Sequence, residues 1–425
     1  MSVESTFFEA SDSVGLSTGS PFFLPENMVH QTIKTKTSSA PNASSKSNTM
    51  KRFLQLFLEV LIVGVLAACV STPPIDEVKA SASAIDDSSP LPDSILQTKS
   101  RWVPVRWREL PGWIDDVQSL HDAWAAWLKS CEKPATALVA LCGEVRSLSI
   151  ASSSEQRAWM MQKLQPYRIE TLQGQQEGLL TSYYEPVLMA SRTPRPGFSV
   201  PLYRPPNSLS SKSPWYTRQE IDTVPQVKAQ LRGLELAYVA DPIDALILHI
   251  QGSGRVNMLE ADGTRRTVRL AFAATNEQVY KSVGSWLLNQ GGTRDVSWSG
   301  IKSWVAQNPL RVNELLWSNP RVVFFREEAL PDVQTGPKGA QGVALTPGRS
   351  IAVDRASIPY GAPLWLASEG VTRLQKLVFA QDTGSAILGA VRADYFAGWG
   401  AEAGELANKI KQPLRLWVLW PKSRF

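Results

Sequence analysis

The sequence predicts a mainly β protein with peripheral helices, in which an antiparallel β-barrel core carries a large mixed insertion. Three observations lead to this class. After Gly178, short β-like runs separated by Gly, Pro and Asn follow one another, as in LLTSYYEPVL, FSVPLYRPP and LELAYVADP. Helical spacing interrupts them at 278–289 and 301–316, and strand-like segments resume with RVVFF at 321–325. The final third alternates short strands with turns, and no period of about 20 to 50 residues points to a repeat architecture.

The chain has 425 residues, 43% hydrophobic and 20% charged, enough to bury a sizeable core in more than one domain. With 44 basic and 39 acidic residues the net charge is +5. That mild excess does not point to nucleic acid and suits an anionic polymer such as a bacterial wall.

Residues 1–49 are rich in Ser, Thr and Asn without a packing pattern, and read as an extension upstream of a natural start at Met50. In 50–68, Lys51 and Arg52 precede an apolar stretch ending in Leu66, Ala67 and Ala68, the layout of a secretory signal too short to span a membrane. Glu59 is out of place within it. LAAC resembles a bacterial lipobox, which makes Cys69 the acylated first residue of the mature protein. Residues 69–99, rich in Ser, Pro and Asp, read as a flexible tether.

The remaining cysteines, Cys131 and Cys142, can bridge in an exported compartment or stay as buried thiols. With only His30, His121 and His249 in the chain, a histidine triad or a zinc site has almost no ligands, and no metal or cofactor is expected. Val117, Leu120, Trp124, Trp127 and Leu128 recur at helical spacing over 116–130. A second helix opens at Ser152, where Glu155 completes a capping box, and stops before Pro166. Their tryptophans read as core. Further on, DALILHIQGSGRV reads as strand-like, Asp262 and Gly263 mark a hairpin, 401–410 a helix, and LRLWVLW a closing strand.

Tyr183 and Tyr184 in TSYYEP point to opposite faces of a strand, so at most one lines a cleft. In HIQGSGRV, Gly252 and Gly254 let backbone approach a ligand, while Gln251 and Ser253 offer donors and acceptors; a glycine-rich turn explains the same residues equally well. No GKS or GKT follows, so a phosphate loop is not indicated. Three aspartates punctuate apolar segments: Asp354 in RSIAVDRAS, Asp382 in VFAQDTGS and Asp394 in RADYF. An aspartate among apolar and aromatic neighbours gains the raised pKa that general acid catalysis needs, whereas one that caps a turn has it lowered. Asp394 fits the first description, Asp354 the second, and Asp382 either.

Taken in order, LAAC, GLLTSYYEPVL, VPLYRPP, DPIDALILHIQGSGRV, SNPRVVFF, SIAVDRASIPYGAPLWL and AQDTGSAILGAVRADYFAGWGAEAG resemble the membrane-bound lytic murein transglycosylase A family over roughly residues 100–421. The resemblance implies a double-psi β-barrel interrupted by a second, smaller β-barrel domain, with a glycan groove between them. On that pattern the catalytic domain covers 100–187 and 326–425, and the insertion 188–325. It implies a periplasmic lipoprotein on the outer membrane that cuts the β-1,4 bond between N-acetylmuramic acid and N-acetylglucosamine, leaving 1,6-anhydromuramoyl ends. Its partners are peptidoglycan glycan strands, the outer membrane and other cell-wall enzymes. The catalytic aspartate of the family falls on Asp394, with Asp382 beside it, and the glycan contacts on Thr181, Ser182, Tyr183, Tyr184, Gln251, Gly252 and Ser253. Ser182 stands where many relatives have Gly, and Glu185 where many have Thr. Asp382 or Glu185 as a second carboxylate keeps a muramidase-like hydrolase in view, and a non-catalytic wall-binding lipoprotein is the third reading.

Overall fold

The structure, a computed structural model, describes residues 90–422 apart from 114–119, 211–212 and 292. Cys69 and the segments 1–49 and 50–68 lie outside the described residues, as does the start of the helix expected from 116.

Four strands come first: β1 (Ile95–Leu96), β2 (Arg101–Pro104), β3 (Leu164–Glu170) and β4 (Gly178–Glu185). Six follow: β5 (Val187–Ser191), β6 (Val200–Tyr203), β7 (Glu235–Val239), β8 (Gly254–Leu259), β9 (Arg265–Thr275) and β10 (Val323–Ala329). Five complete the chain: β11 (Ser350–Val353), β12 (Pro363–Ser368), β13 (Leu374–Asp382), β14 (Arg392–Trp399) and β15 (Lys411–Pro421).

Strand β15 is 11 residues long and pairs with β4 at its start, β12 in its middle and β3 at its end. This divided pairing closes β4, β14, β11, β13, β12 and β15 into a barrel, and β3, β2 and β1 extend it as a side sheet. The second sheet has the order β10-β9-β8-β5-β7-β6, and its two end strands approach each other without a ladder between them.

The purely antiparallel expectation is corrected. β11 runs parallel to β13, β4 to β14, and β5 to β8. A hairpin reverses the chain, but a long excursion brings it back in the same direction, and the whole second sheet lies between β4 and β14. Gly178 permits one of these parallel pairs: a Cβ there would lie 1.8 Å from the Val391 carbonyl oxygen. The side sheet also revises the tether, since Ile95–Leu96 pairs with Arg101 and Trp102, and Lys99 binds Asp354.

DALILHIQGSGRV is likewise corrected. Pro242–Gln251 is a helix and only Gly254–Leu259 is a strand. Its capping signals explain the change: the Asp241 side chain accepts from Ile243 N–H, Pro242 occupies the first turn, and Gly252 closes the helix at φ 81°. The apolar run was long enough for a buried helix, which alternation alone does not distinguish from a strand. The second sheet spans Val187 to Ala329, so the expected boundary at 325 cuts through β10.

The helix Leu120–Ser130 packs Trp124 and Trp127 into a core shared with Trp113, Trp159, Trp365 and Phe379. The helix Ser153–Lys163 has the capping box read at Ser152 and Glu155. Cys131 and Cys142 are joined by a disulfide just after the first of these helices. The helix Gly400–Lys409 covers β4 and β14, its Gly404 against the Tyr184 ring.

Glu185 holds the junction of the two sheets. It is buried, and its carboxylate accepts from Arg255 Nε at 2.8 Å and Arg269 Nε at 2.6 Å. Arg269 also donates to Thr335 O, and Arg255 to Val333 O and Thr335 O, so both chain crossings are fastened to one carboxylate. Arg255 stacks on Trp399 at 3.8 Å.

Candidate active site

Alternation along β14 sends Ala393 and Tyr395 into the barrel core and leaves Asp394 on the outer face. On the neighbouring β4, Leu180 points inward and Thr181 lies opposite Asp394. On the other side of β14, Ala352 of β11 lies opposite Asp394 and also opposite Asp382 at the end of β13. Laterally paired residues share a face. Thr181, Asp394, Ala352 and Asp382 therefore form one row, with a methyl group between the two acids.

Each acid is partly buried and held differently. Thr181 Oγ1 donates to Asp394 Oδ1, and among the described residues no hydrogen bond occupies Asp394 Oδ2. Asp382 is tied at both oxygens, accepting from Tyr183 Oη at 2.7 Å and from Ala340 N–H at 2.9 Å. Behind it, Gln381 is buried and donates to Ala126 O and to Ser130 Oγ of the Leu120–Ser130 helix, which fixes the end of β13.

Burial pushes the Asp394 carboxyl up to about 6; the Thr181 hydroxyl and Arg392 pull it down, and the Asp382 charge adds to the rise. Burial also raises Asp382, against the opposing hydrogen bonds from Tyr183 and Ala340. The Tyr183 phenol is driven well above its ordinary value by burial and then by Asp382, so it stays a neutral donor. Asp354 behaves otherwise. Burial acts to raise it, but Gly389 and Ala356 N–H groups and Lys99 together hold it below its ordinary value.

The structure thus brings Thr181, Tyr183, Asp382 and Asp394 together. Ser182 spends its hydroxyl on Tyr395 O at 2.7 Å, and Tyr184 packs toward the helices of the second region. Gln251 Oε1 accepts from Tyr184 N–H at 3.0 Å, tethering the end of the Pro242–Gln251 helix to β4. Gly252 is the cap of that helix, and Ser253 lies half-buried beyond it. Glu185 faces its two arginines rather than the row of acids.

Sequence reasoning missed Arg392, Tyr280 and Ala352. Arg392 Nη2 donates to Thr181 Oγ1 at 2.7 Å, and the Tyr280 phenol, raised by burial, also feels the Asp394 charge. The spacing of Arg392 and Asp394 by two residues was a readable signal, because residues i and i+2 of a strand share a face. Nothing in the sequence marks Tyr280 or Ala352. Among the described residues no cluster of three His, Cys, Asp or Glu is arranged to hold a metal ion.

Family models match this chain in two places: residues 179–326 match the MltA specific insert domain, and residues 349–420 the 3D domain. The chain is similar to the membrane-bound lytic murein transglycosylase A of Vibrio cholerae, with 33% identity over 252 residues, covering 57% of this chain and 65% of that relative. The match spans just under two thirds of the relative's length. Among solved structures, it is similar to the lytic transglycosylase LtgG of Burkholderia pseudomallei, with 39% identity over 80% of this chain and 99% of the other and a TM-score of 0.54. It is also similar to MltA from Neisseria gonorrhoeae, with 28% identity over 79% and 97% and a TM-score of 0.66.

Proposed function

The chain belongs to the membrane-bound lytic murein transglycosylase A family, and on that premise we propose that it is a peptidoglycan lytic transglycosylase in which Asp394 serves as acid and then as base. Its substrate is the β-1,4 bond between N-acetylmuramic acid and N-acetylglucosamine. One observation carries this reading. Asp394 has a carboxyl pushed up to about 6 by burial, one oxygen held by Thr181 and the other without a hydrogen bond among the described residues.

Protonated Asp394 gives its proton to the glycosidic oxygen as the bond from that oxygen to muramoyl C1 breaks, the bonding pair leaving with the oxygen. The ring becomes oxocarbenium-like. The muramoyl C6 hydroxyl then closes on C1, and its proton returns to the Asp394 carboxylate, giving the 1,6-anhydro end without water. Proton transfer of this kind contributes about a hundred- to ten-thousandfold, and positioning supplies the rest. Asp382, held by Tyr183 and Ala340 and set beside Asp394 across Ala352, presents its carboxyl group to the developing positive charge. Thr181, Ser182, Tyr183 and Tyr184, with Gln251, Gly252 and Ser253, are assigned to the glycan. No cofactor takes part.

The protein works on the periplasmic face of the outer membrane, anchored through a lipid on Cys69. Among the described residues no helix is long and apolar enough to cross a membrane.

Mass spectrometry of digested peptidoglycan tests the reaction: anhydromuramoyl ends support it, and reducing ends replace it with hydrolysis using Asp382 as second carboxylate. If the wild-type protein binds sacculi and releases nothing, it is a wall-binding lipoprotein.

A further inference from the structure

Arg392 and Asp394 share the outer face of β14, yet they make no direct ion pair. Instead the guanidinium reaches across to β4. Its Nη2 donates to Thr181 Oγ1 at 2.7 Å, and its Nη1 donates to the carbonyl oxygens of Ala393 and Leu179. Thr181 Oγ1 in turn donates to Asp394 Oδ1.

The direction of this chain follows from donor chemistry. A guanidinium has only donors, so Thr181 Oγ1 must accept from Arg392. With one lone pair of that oxygen taken by the guanidinium, the single hydroxyl proton is the one donated to Asp394 Oδ1. An oxygen accepting that bond is the carbonyl-like one when the acid is protonated, so the acidic proton sits on Oδ2. That is the oxygen left without a hydrogen bond among the described residues.

We propose that Arg392 is a positioning residue: acting through Thr181, its guanidinium orients the Thr181 hydroxyl so that Asp394 holds and delivers its proton on Oδ2. The inference rests on Asp394 being the acid. The interposed hydroxyl has a second consequence. A guanidinium bound directly to Asp394 would hold it ionised, whereas one hydroxyl removed it lowers the carboxyl only in part, and burial still keeps it at about 6.

The test is a set of variants, Arg392→Gln, Arg392→Lys, Thr181→Val, Thr181→Ser, the double variant R392Q/T181V and Asp394→Asn, assayed for muropeptide release against pH. Folding is checked by circular dichroism. R392Q is expected to lower kcat about tenfold or more, with KM within about twofold, and to move the alkaline limb of the profile upward because a cation near Asp394 is gone. T181V shows a similar loss, T181S stays near wild type, and R392Q/T181V is no worse than T181V alone, because both act on one hydroxyl. If R392Q does not fold, R392K carries the test, with the limb in its wild-type place and kcat reduced. Additive losses, a reduced kcat in R392Q with its limb unmoved, or an R392K variant that keeps the wild-type kcat, overturn the role of Arg392 and leave Asp394 intact. Undiminished cleavage by D394N overturns the reading beneath it.

Discussion

Among the carboxylates that stand near arginines, Glu185 and Asp394 have opposite fates. Glu185 at the junction of the two sheets is gripped directly by Arg255 and Arg269. Asp394 on the outer face of the barrel meets Arg392 only through the Thr181 hydroxyl. Direct contact compensates a buried charge and makes a fastener, while separation by one hydroxyl leaves burial in control and makes an acid. The same two groups, a carboxyl and a guanidinium, thus serve architecture in one place and, on the proposed function, chemistry in the other, and the deciding variable is one intervening oxygen.

The contrast breaks most visibly if Asp394→Asn still cleaves. The expected outcome is loss of about a thousandfold or more of muropeptide release, with sacculus binding retained, checked by release and pull-down assays. Next in size is the same acid-to-amide change at the fastener. Glu185→Gln leaves two buried guanidinium groups short of their counter-charge and is expected to cost about 3–5 kcal/mol in chemical denaturation.

Stability should respond to Asp394→Asn with the opposite sign. The folded value of about 6 lies above the ordinary 3.8, so the folded state binds the proton more tightly. Its stabilising effect is complete below about pH 4 and lost as pH rises through about 6. Near pH 7.5 the amide is therefore expected to be more stable than wild type by roughly 1–3 kcal/mol, and near pH 3.5 the advantage disappears; melting curves at the two pH values decide. Cleavage by wild type falls about tenfold per pH unit above about 6, as the protonated fraction declines.

The smallest effect belongs to Asp354, where Gly389 and Ala356 N–H groups and Lys99 use the carboxylate as a turn cap. Asp354→Asn should cost about 1–2 kcal/mol and leave the activity of the folded fraction within about twofold. A loss as large as that of D394N would erase the distinction among the three aspartates.

Much of this distinction was legible in local sequence. Asp354, beside Arg355 at the end of a short run, reads as a cap, and Asp394 in RADYF reads as an acid among apolar neighbours. The capping box at Ser152 and Glu155 and the Gly400–Lys409 helix were equally local. The Pro242–Gln251 segment reads as a strand on its apolar run alone, although Asp241, Pro242 and Gly252 are the caps of a helix. Glu185 was read as an extra acid near the substrate. Its partners Arg255 and Arg269 lie 70 and 84 residues away, and no local window contains them.

By itself, then, the sequence determined the mainly β class, the positions of the turn-forming glycines, the placement of the aspartates near strand ends and turns, and the apolar character of the strands that carry them. These depend on short-range sterics, alternation and capping, which act within a few residues. Only the tertiary structure decided that β4 and β14 run parallel, that Thr181 faces Asp394, that Asp382 and Asp394 share Ala352 as neighbour, and that Glu185 is paired directly with arginines while Asp394 is not. Each of these depends on desolvation and on hydrogen bonds between strands far apart in the chain, and those terms come into being only when the barrel closes.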